Sequence, residues 1–439
     1  MRTLALHIWE QLKTSFWFIP VVIVVVAIFG SMLLINIDST YHVEPEGFLG
    51  LFITEDVESA RQILSTIAGA MLNVTGVVFS ITLVALTLAS SEFGSRLLRN
   101  FMNDRLNQVV LGTYIATFIF CILILRVVKG VEDNDFIPNI SIFVAIIISV
   151  ANIFLLIAYI HHIAISIQAD YIITDVGKNL RSSLKTLYPN QIGDENLEQS
   201  EVFLKEHIDK IPLKILVPNP KSGYLQVING ESLLSIAKKN NLILESDHRP
   251  GDLIVKDMTL VKVHSEKALD EKSFKKISDA FIIGENRTPT HDAEFSIHQL
   301  VEIIARALSS GINDPFTAIT ALDKLTSNLS ELASNRFASG FRFDDEGHLR
   351  MILNPLTFEG MVNASFNQVR QYSTSNPAVL IRLMESLFTI KQFTRDHTRL
   401  KVLRKHADMT MRAGENAFTE TEDIKDLRRR YEQFLEDWV

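Results

Sequence analysis

Cysteine is nearly missing from this chain: Cys121 is the one thiol among 439 residues. That excludes an intrachain disulfide framework and any thiolate metal cluster built within one chain. A surplus of positive charge is lacking too. The formal net charge is -8, so a nucleic-acid partner has no electrostatic support. Catalytic words are also absent: there is no Walker loop, G-x-S-x-G elbow, H-E-x-x-H or Gly-rich dinucleotide loop. The expectation is therefore no enzyme and no cofactor. No A-x-A-like cleavage site follows the first apolar run, which reads as a retained span.

Hydrophobicity is abundant instead. Hydrophobic residues make up 47% of the chain and the mean hydropathy is +0.18, high for a soluble globular protein. Four apolar runs stand out: Phe16 to Ile35, Leu64 to Ala89, Val109 to Val128, and a fourth from Ile137 past Tyr159. Each reaches the roughly 20 residues needed to cross the hydrocarbon core, where helices satisfy their own backbone. The expected fold class is a mainly α membrane protein, with four transmembrane helices over 1–168 followed by a cytosolic α+β region. That region divides into a helical connector over 169–210, a small β-rich module over 211–265 and a helical domain over 266–439.

Loop charge sets the orientation. The first loop carries Asp38, Glu44, Glu46, Glu55, Asp56 and Glu58 against Arg61, and the third carries Glu132, Asp133 and Asp135. The second holds Arg96, Arg99 and Arg105. Lys/Arg excess marks the cytoplasmic side, so both termini and the second loop are expected inside.

The second span differs from its neighbours. Thr66, Gly69, Asn73, Gly76, Ser80, Thr87 and Ser91 recur at three- and four-residue steps, interrupted at Val84, and so share one helix face. Such a face either lines a watery pathway in a homo-oligomer or forms a tight helix–helix seam within one protomer. Asn73 fits a simple seam least well, because an amide at mid-membrane needs a partner. Arg96 and Arg99 follow at the membrane surface, where they anchor to lipid phosphates or ring the mouth of a pathway. Asn152 lies inside the fourth span, His161 and His162 near its end, and Arg126 is placed to snorkel.

Beyond the spans, Asp170 to Leu187 reads as an amphipathic helix, with a second helix over about Asn196 to Asp209. GESLLSIAKKNN reads as a short helix starting at Gly230 to Ser232. RPGDLIVKDMTLVKV reads as a hairpin, with Pro250-Gly251-Asp252 at its first turn and Lys256-Asp257 near a second. Further on, Ile297, Leu300, Ile304, Ala307 and Leu308 form a core face, with His298, Glu302 and Arg306 along a polar strip. Gly311 is expected to end that helix, and Asp314 with Pro315 to start the next. Helices are expected at Phe358 to Tyr372, Pro377 to His397 and Asp423 to Trp438. Two weak constellations arise here. His291, Asp292, Glu294, His298 and Glu302 are the nearest to a metal set, and Arg287, Asp292, His298, Asn313 and Asp314 suggest a small-ligand pocket. Solvated ion pairs and helix caps are the plainer explanation of both.

Longer words give a resemblance. ARQILSTIAGAMLNVTGVVFSITLVALTLASSEFGSRLLRNFMNDR, SGYLQVI, RPGDLIV and ARALSSGINDPFTAITALDKL resemble the bacterial membrane proteins grouped as domain of unknown function 2254. Ser95 and Ser310 stand where the family pattern often has proline. The resemblance implies a bacterial inner-membrane protein with a cytosolic C-terminal region, and it brings no catalytic residues or substrate. Beyond it, three functions compete: an oligomeric channel-like conduit passing ions, a membrane-anchored sensor or scaffold, and an enzyme around His291 to Asp314. The lipid bilayer, further copies of the chain and ions or a small ligand are the expected partners.

Overall fold

The computed structural model describes residues 17–40, 56–94, 104–129, 136–187, 208, 211–288, 291–335 and 339–436. They form two compact units, divided after Tyr171. The helix expected over Asn196 to Asp209 lies almost wholly outside the described residues.

The first unit holds α1 (Phe18–Thr40), α2 (Val57–Phe93), α3 (Arg105–Val127) and α4 (Asn139–Ser166), each long and apolar enough to cross a membrane. α2 has 37 residues, about 55 Å of helix against a hydrocarbon core of about 30 Å. Asp56 caps its start through Glu58 and Ser59 N–H, and Gly94, at φ 102, ends it. α3 is the most enclosed span, and the other three all pack on it. Gly112 allows α1 that approach: a Cβ there would sit 2.9 Å from both the Pro20 Cα and the Ile23 Cδ1.

Two aspartates fasten the ends of α4. Pro138 gives α4 no side-chain cap of its own. Asp38, buried at the end of α1, supplies one by accepting from Ile140 N–H at 2.8 Å and Ser141 N–H at 3.0 Å. Asp104 caps α3 through Leu106 N–H at 2.8 Å, and its other oxygen meets His162 Nε2 of α4 at 2.5 Å. Asn152, Tyr114 and Tyr159, inside the bundle, are likewise paired. Asn152 Nδ2 donates to Thr117 Oγ1 at 2.8 Å, Tyr114 OH to the Asn152 carbonyl at 2.6 Å, and Tyr159 OH to the Val78 carbonyl at 3.0 Å. Such pairing is what lets these three side chains lie at membrane depth.

α5 (Ala169–Leu187) begins at the boundary, and its Ile173, Val176 and Leu180 are buried. The second unit then builds two sheets. Strands β1 (Leu213–Pro218), β3 (Ile243–Glu245), β5 (Thr259–Ser265), β7 (Phe341–Phe343) and β8 (Leu349–Ile352) form one, in the order β1-β5-β3-β8-β7. β2 (Gly223–Ile228), β4 (Leu253–Ile254) and β6 (Phe281–Gly284) form the other, in the order β4-β2-β6. Helices α6 (Gly230–Asn240) and α7 (Glu271–Asp279) complete this part, with Leu225, Leu233, Val261, Val263, Ile277 and Met351 in its core. Two expectations change here. The module does not close at 265: β6 joins β2, and β8 pairs in parallel with β3. RPGDLIVKDMTLVKV is not a hairpin, because β4 pairs with β2 and β5 with β1 and β3. The turn between β4 and β5 passes the chain from one sheet to the other, with Asp257 at φ 66.

The remaining helices are α8 (Ala293–Ala307), α9 (Pro315–Ser334), α10 (Phe358–Tyr372), α11 (Pro377–Gln392), α12 (His397–Ala417) and α13 (Thr421–Leu435). The expected core face of α8 is buried, and the bounds of α10 agree with the expectation. The helix expected over Pro377 to His397 stops at Gln392, and a separate helix, α12, begins after Asp396, whose carboxylate caps Thr398 and Arg399 N–H. The left-handed residue between α8 and α9 is Asn313, at φ 49, rather than Gly311.

Candidate functional site

The structure puts the polar stripe of α2 on the outside. Thr66, Gly69, Asn73, Gly76, Ser80, Thr87 and Ser91 are all exposed within the chain. The seam expected as their alternative role inside one protomer runs along the opposite side, through Ala60, Leu64, Ala68, Met71, Val78, Ala85 and Ala89, all buried. Alanine there lets α3 approach, while leucine and methionine fill the gaps. A Cβ added at Gly69 or Gly76 would meet nothing within 4 Å.

Hydrogen bonding gives this outer face a direction. Ser80 Oγ donates to the Gly76 carbonyl at 2.8 Å, Thr87 Oγ1 to Leu83 at 2.9 Å and Ser91 Oγ to Leu88 at 2.9 Å. With their protons turned into the helix, these hydroxyls present lone pairs outward. The Asn73 side chain makes no hydrogen bond with any described residue, so its amide is available to a neighbour. Arg96 and Arg99 lie outside the described residues.

The ligand pocket expected from sequence separates into two places. Arg287 Nε and Nη2 hold Asp292 at 2.7 and 3.0 Å, and Asp292 also caps α8 through Phe295 N–H at 3.0 Å. Arg249 of the RPGD word reaches Glu294 at 3.1 Å, and Gly251, at φ 100, lies directly under the Asp292 carboxylate. These residues brace a loop onto a helix start. Asn313 and Asp314 lie beyond the other end of α8, about 22 Å of helix away, where Asp314 accepts from Phe316 and Thr317 N–H at 3.1 Å. His298 is part-buried midway along α8, and Glu302 sits 3.7 Å from Arg306.

Among the described residues, the one group of three metal-type ligands that converges is Asp344, Glu346 and His348. Its geometry is that of a turn. Asp344 accepts from Glu346 N–H at 3.1 Å, His348 N–H at 2.9 Å and Arg350 Nε at 2.6 Å. Burial alone would raise the Asp344 carboxyl, but these donors outweigh it and hold it at about 2. His291, Asp292, Glu294, His298 and Glu302 do not converge in this way.

Sequence reasoning missed the Asp38 and Asp104 fastenings. Both residues are acids beside an apolar run, and nothing local says that Asp38 caps another helix or that Asp104, besides capping its own, reaches His162 on another.

Four membrane-length helices followed by an α+β unit define a polytopic membrane protein. The chain belongs to the family described as "Predicted membrane protein (DUF2254)", whose pattern matches residues 13–389. It is similar to uncharacterised proteins of Mycobacterium bovis and Mycobacterium tuberculosis. Each is 30% identical over 369 residues, spanning 83% of this chain and 70% of the relative. No solved structure matches.

Proposed function

We propose that this protein works as a homo-oligomer in the bacterial inner membrane, with the outer polar face of α2 lining a channel-like conduit. The carrying observation is that Asn73 and its polar neighbours face away from their own bundle while α2 packs through its other side. Hydrocarbon is a poor solvent for such a face, and further copies of the chain would enclose it with water. Its outward lone pairs suit water and cations. Loop charges favour cytoplasmic termini, so the second unit is read as a cytosolic regulatory domain. This reading needs no catalysis and no cofactor.

A membrane-anchored sensor or scaffold is the second reading. Gly69 and Gly76 favour it, since open glycines also suit direct helix contact between copies. Flux measurements on the full chain in liposomes separate the two. The conduit reading expects cation flux that falls in Asn73→Leu. Ion-tight vesicles at every voltage, pH and tension tested would leave the scaffold.

A further inference from the structure

The polar line along α2 has one break, at Val84. Before Thr66 the line continues at four-residue steps through Gln62 and Glu58, both exposed. From Glu58 to Ser91 it carries a carboxylate, amides, hydroxyls and bare glycine backbone, and only Val84 adds an apolar side chain. Val84 follows Ser80 by four residues and precedes Thr87 by three, so it projects in the same sector as they do. It is 67% exposed, more than any other large apolar side chain of α2. Along the axis it stands about 16 Å from Asn73.

Contact with lipid does not account for this arrangement. On α4 the exposed side chains Ile153, Phe154, Ile157 and Ile160 are apolar, as hydrocarbon requires. The Val84 sector has the reverse composition, polar as the rule with one apolar exception. Ser80 and Thr87, on either side of it, turn their protons to the Gly76 and Leu83 carbonyls. Lone pairs therefore face outward up to the break and resume beyond it. Valine also suits a fixed constriction. Branched at Cβ, it has one strongly preferred χ1 rotamer in a helix and does not fold aside.

We propose that Val84 is a hydrophobic gate in the pathway along α2, closed at rest. This rests on the conduit reading given above. Copies of the chain around a pathway repeat Val84 as an apolar ring at one level. A narrow ring of that kind sheds its water, and an ion entering it loses hydration with no oxygen to replace it. Hydrated cations reach the ring along the polar lining from either end and stop there. Opening requires movement of α2 itself, because the side chain has no second rotamer to adopt.

The test measures resting K⁺ flux per oligomer in liposomes holding the unaltered full chain, Val84→Thr or Ile157→Thr. Threonine has the shape of valine, and its hydroxyl can bond the carbonyl four residues back, so the substitution changes the polarity of the ring and little else. Val84→Thr should raise resting flux at least about tenfold, and Ile157→Thr should leave it unchanged. Subunit number and melting temperature should be equal in all three proteins. If the unaltered chain conducts under voltage or tension and Val84→Thr has the same resting flux, the gate is overturned and the conduit stands. If neither conducts under any of these conditions, the conduit is lost and the gate with it. A similar rise in Ile157→Thr would trace the flux to a loosened bundle and overturn the gate. A Val84→Thr protein that disassembles or melts early would overturn the placement of Val84 on an open face.

Discussion

Replacing Gly76 with leucine separates packing within a chain from packing between chains. A Cβ at this position enters open space, so nothing in the bundle has to move. The helix itself gains about 1 kcal/mol when an interior glycine is removed. Melting of the single chain should therefore be unchanged or slightly higher. Between copies, the same leucine keeps backbones apart where glycine would let them touch. Asn73→Leu isolates the amide: an interhelical hydrogen bond of about 0.6–2 kcal/mol corresponds to an association constant about 3- to 30-fold lower. Gly112→Leu is the control, because Pro20 and Ile23 already stand 2.9 Å from its missing Cβ. Overpacking there should destabilise the bundle by about 1–3 kcal/mol. Subunit number is read by single-molecule photobleaching in nanodiscs, and stability by thermal unfolding of the same samples. If the face packs directly between copies, Gly76→Leu is disassembled but thermally intact; if it lines a conduit, Gly76→Leu keeps its subunit number and loses flux; in both cases Gly112→Leu melts early. A Gly76→Leu protein that melts like Gly112→Leu would refute the placement of this face outside the bundle, and one that keeps both its subunit number and its flux would refute a role for the face in either reading.

Three further outcomes follow from geometry outside that face. Asp38→Ala removes the one side-chain cap at the start of α4 and leaves two N–H groups unpaired; unfolding in detergent should show a loss of about 2 kcal/mol. His406 is buried beside Phe366 and Asn363, and that burial, followed by the charges of Lys405 and Arg370, lowers its pKa from 6.5 to about 4. The unfolded chain binds this proton first, so the stabilisation is complete above 6.5 and is lost as pH falls toward 4. It amounts to about 3 kcal/mol. His406→Gln should flatten that part of the melting-temperature profile, and an unchanged slope would sink the assignment. Gly251→Ala places a methyl group against Asp292 at φ 100. Strained backbone alone costs about 1–2 kcal/mol, and greater protease sensitivity of the second unit would report it.

The four spans were legible because apolar length is a local property, and the α2 stripe because its spacing is local too. Which way the stripe faces was not, since that depends on which side of α2 the distant α3 chooses. Among the helices, α10 agreed with its expected bounds because Thr357 caps a clear apolar repeat. α12 escaped because no glycine or proline separates it from α11; Asp396 alone restarts the chain. β8 escaped for a different reason. Its Arg350 looks like a surface residue, yet it is buried against Asp344 and Asn241, a pairing visible only once the strands meet. The proposed ligand cluster misled because caps and ligand sites draw on the same residue types.

The parallel pairing of Leu244 with Met351 also governs how this protein is made. The two residues are about a hundred positions apart, and closing so long a loop is slow relative to forming helices. While the ribosome is still making α8 and α9, β3 has β5 on one side and an unpaired edge on the other, open to wrong partners. The β7–β8 hairpin fills that edge late. A nascent chain stalled or cut before residue 340 would therefore lack the two strands that cover β3, and with that edge left open it would be the form most prone to aggregation.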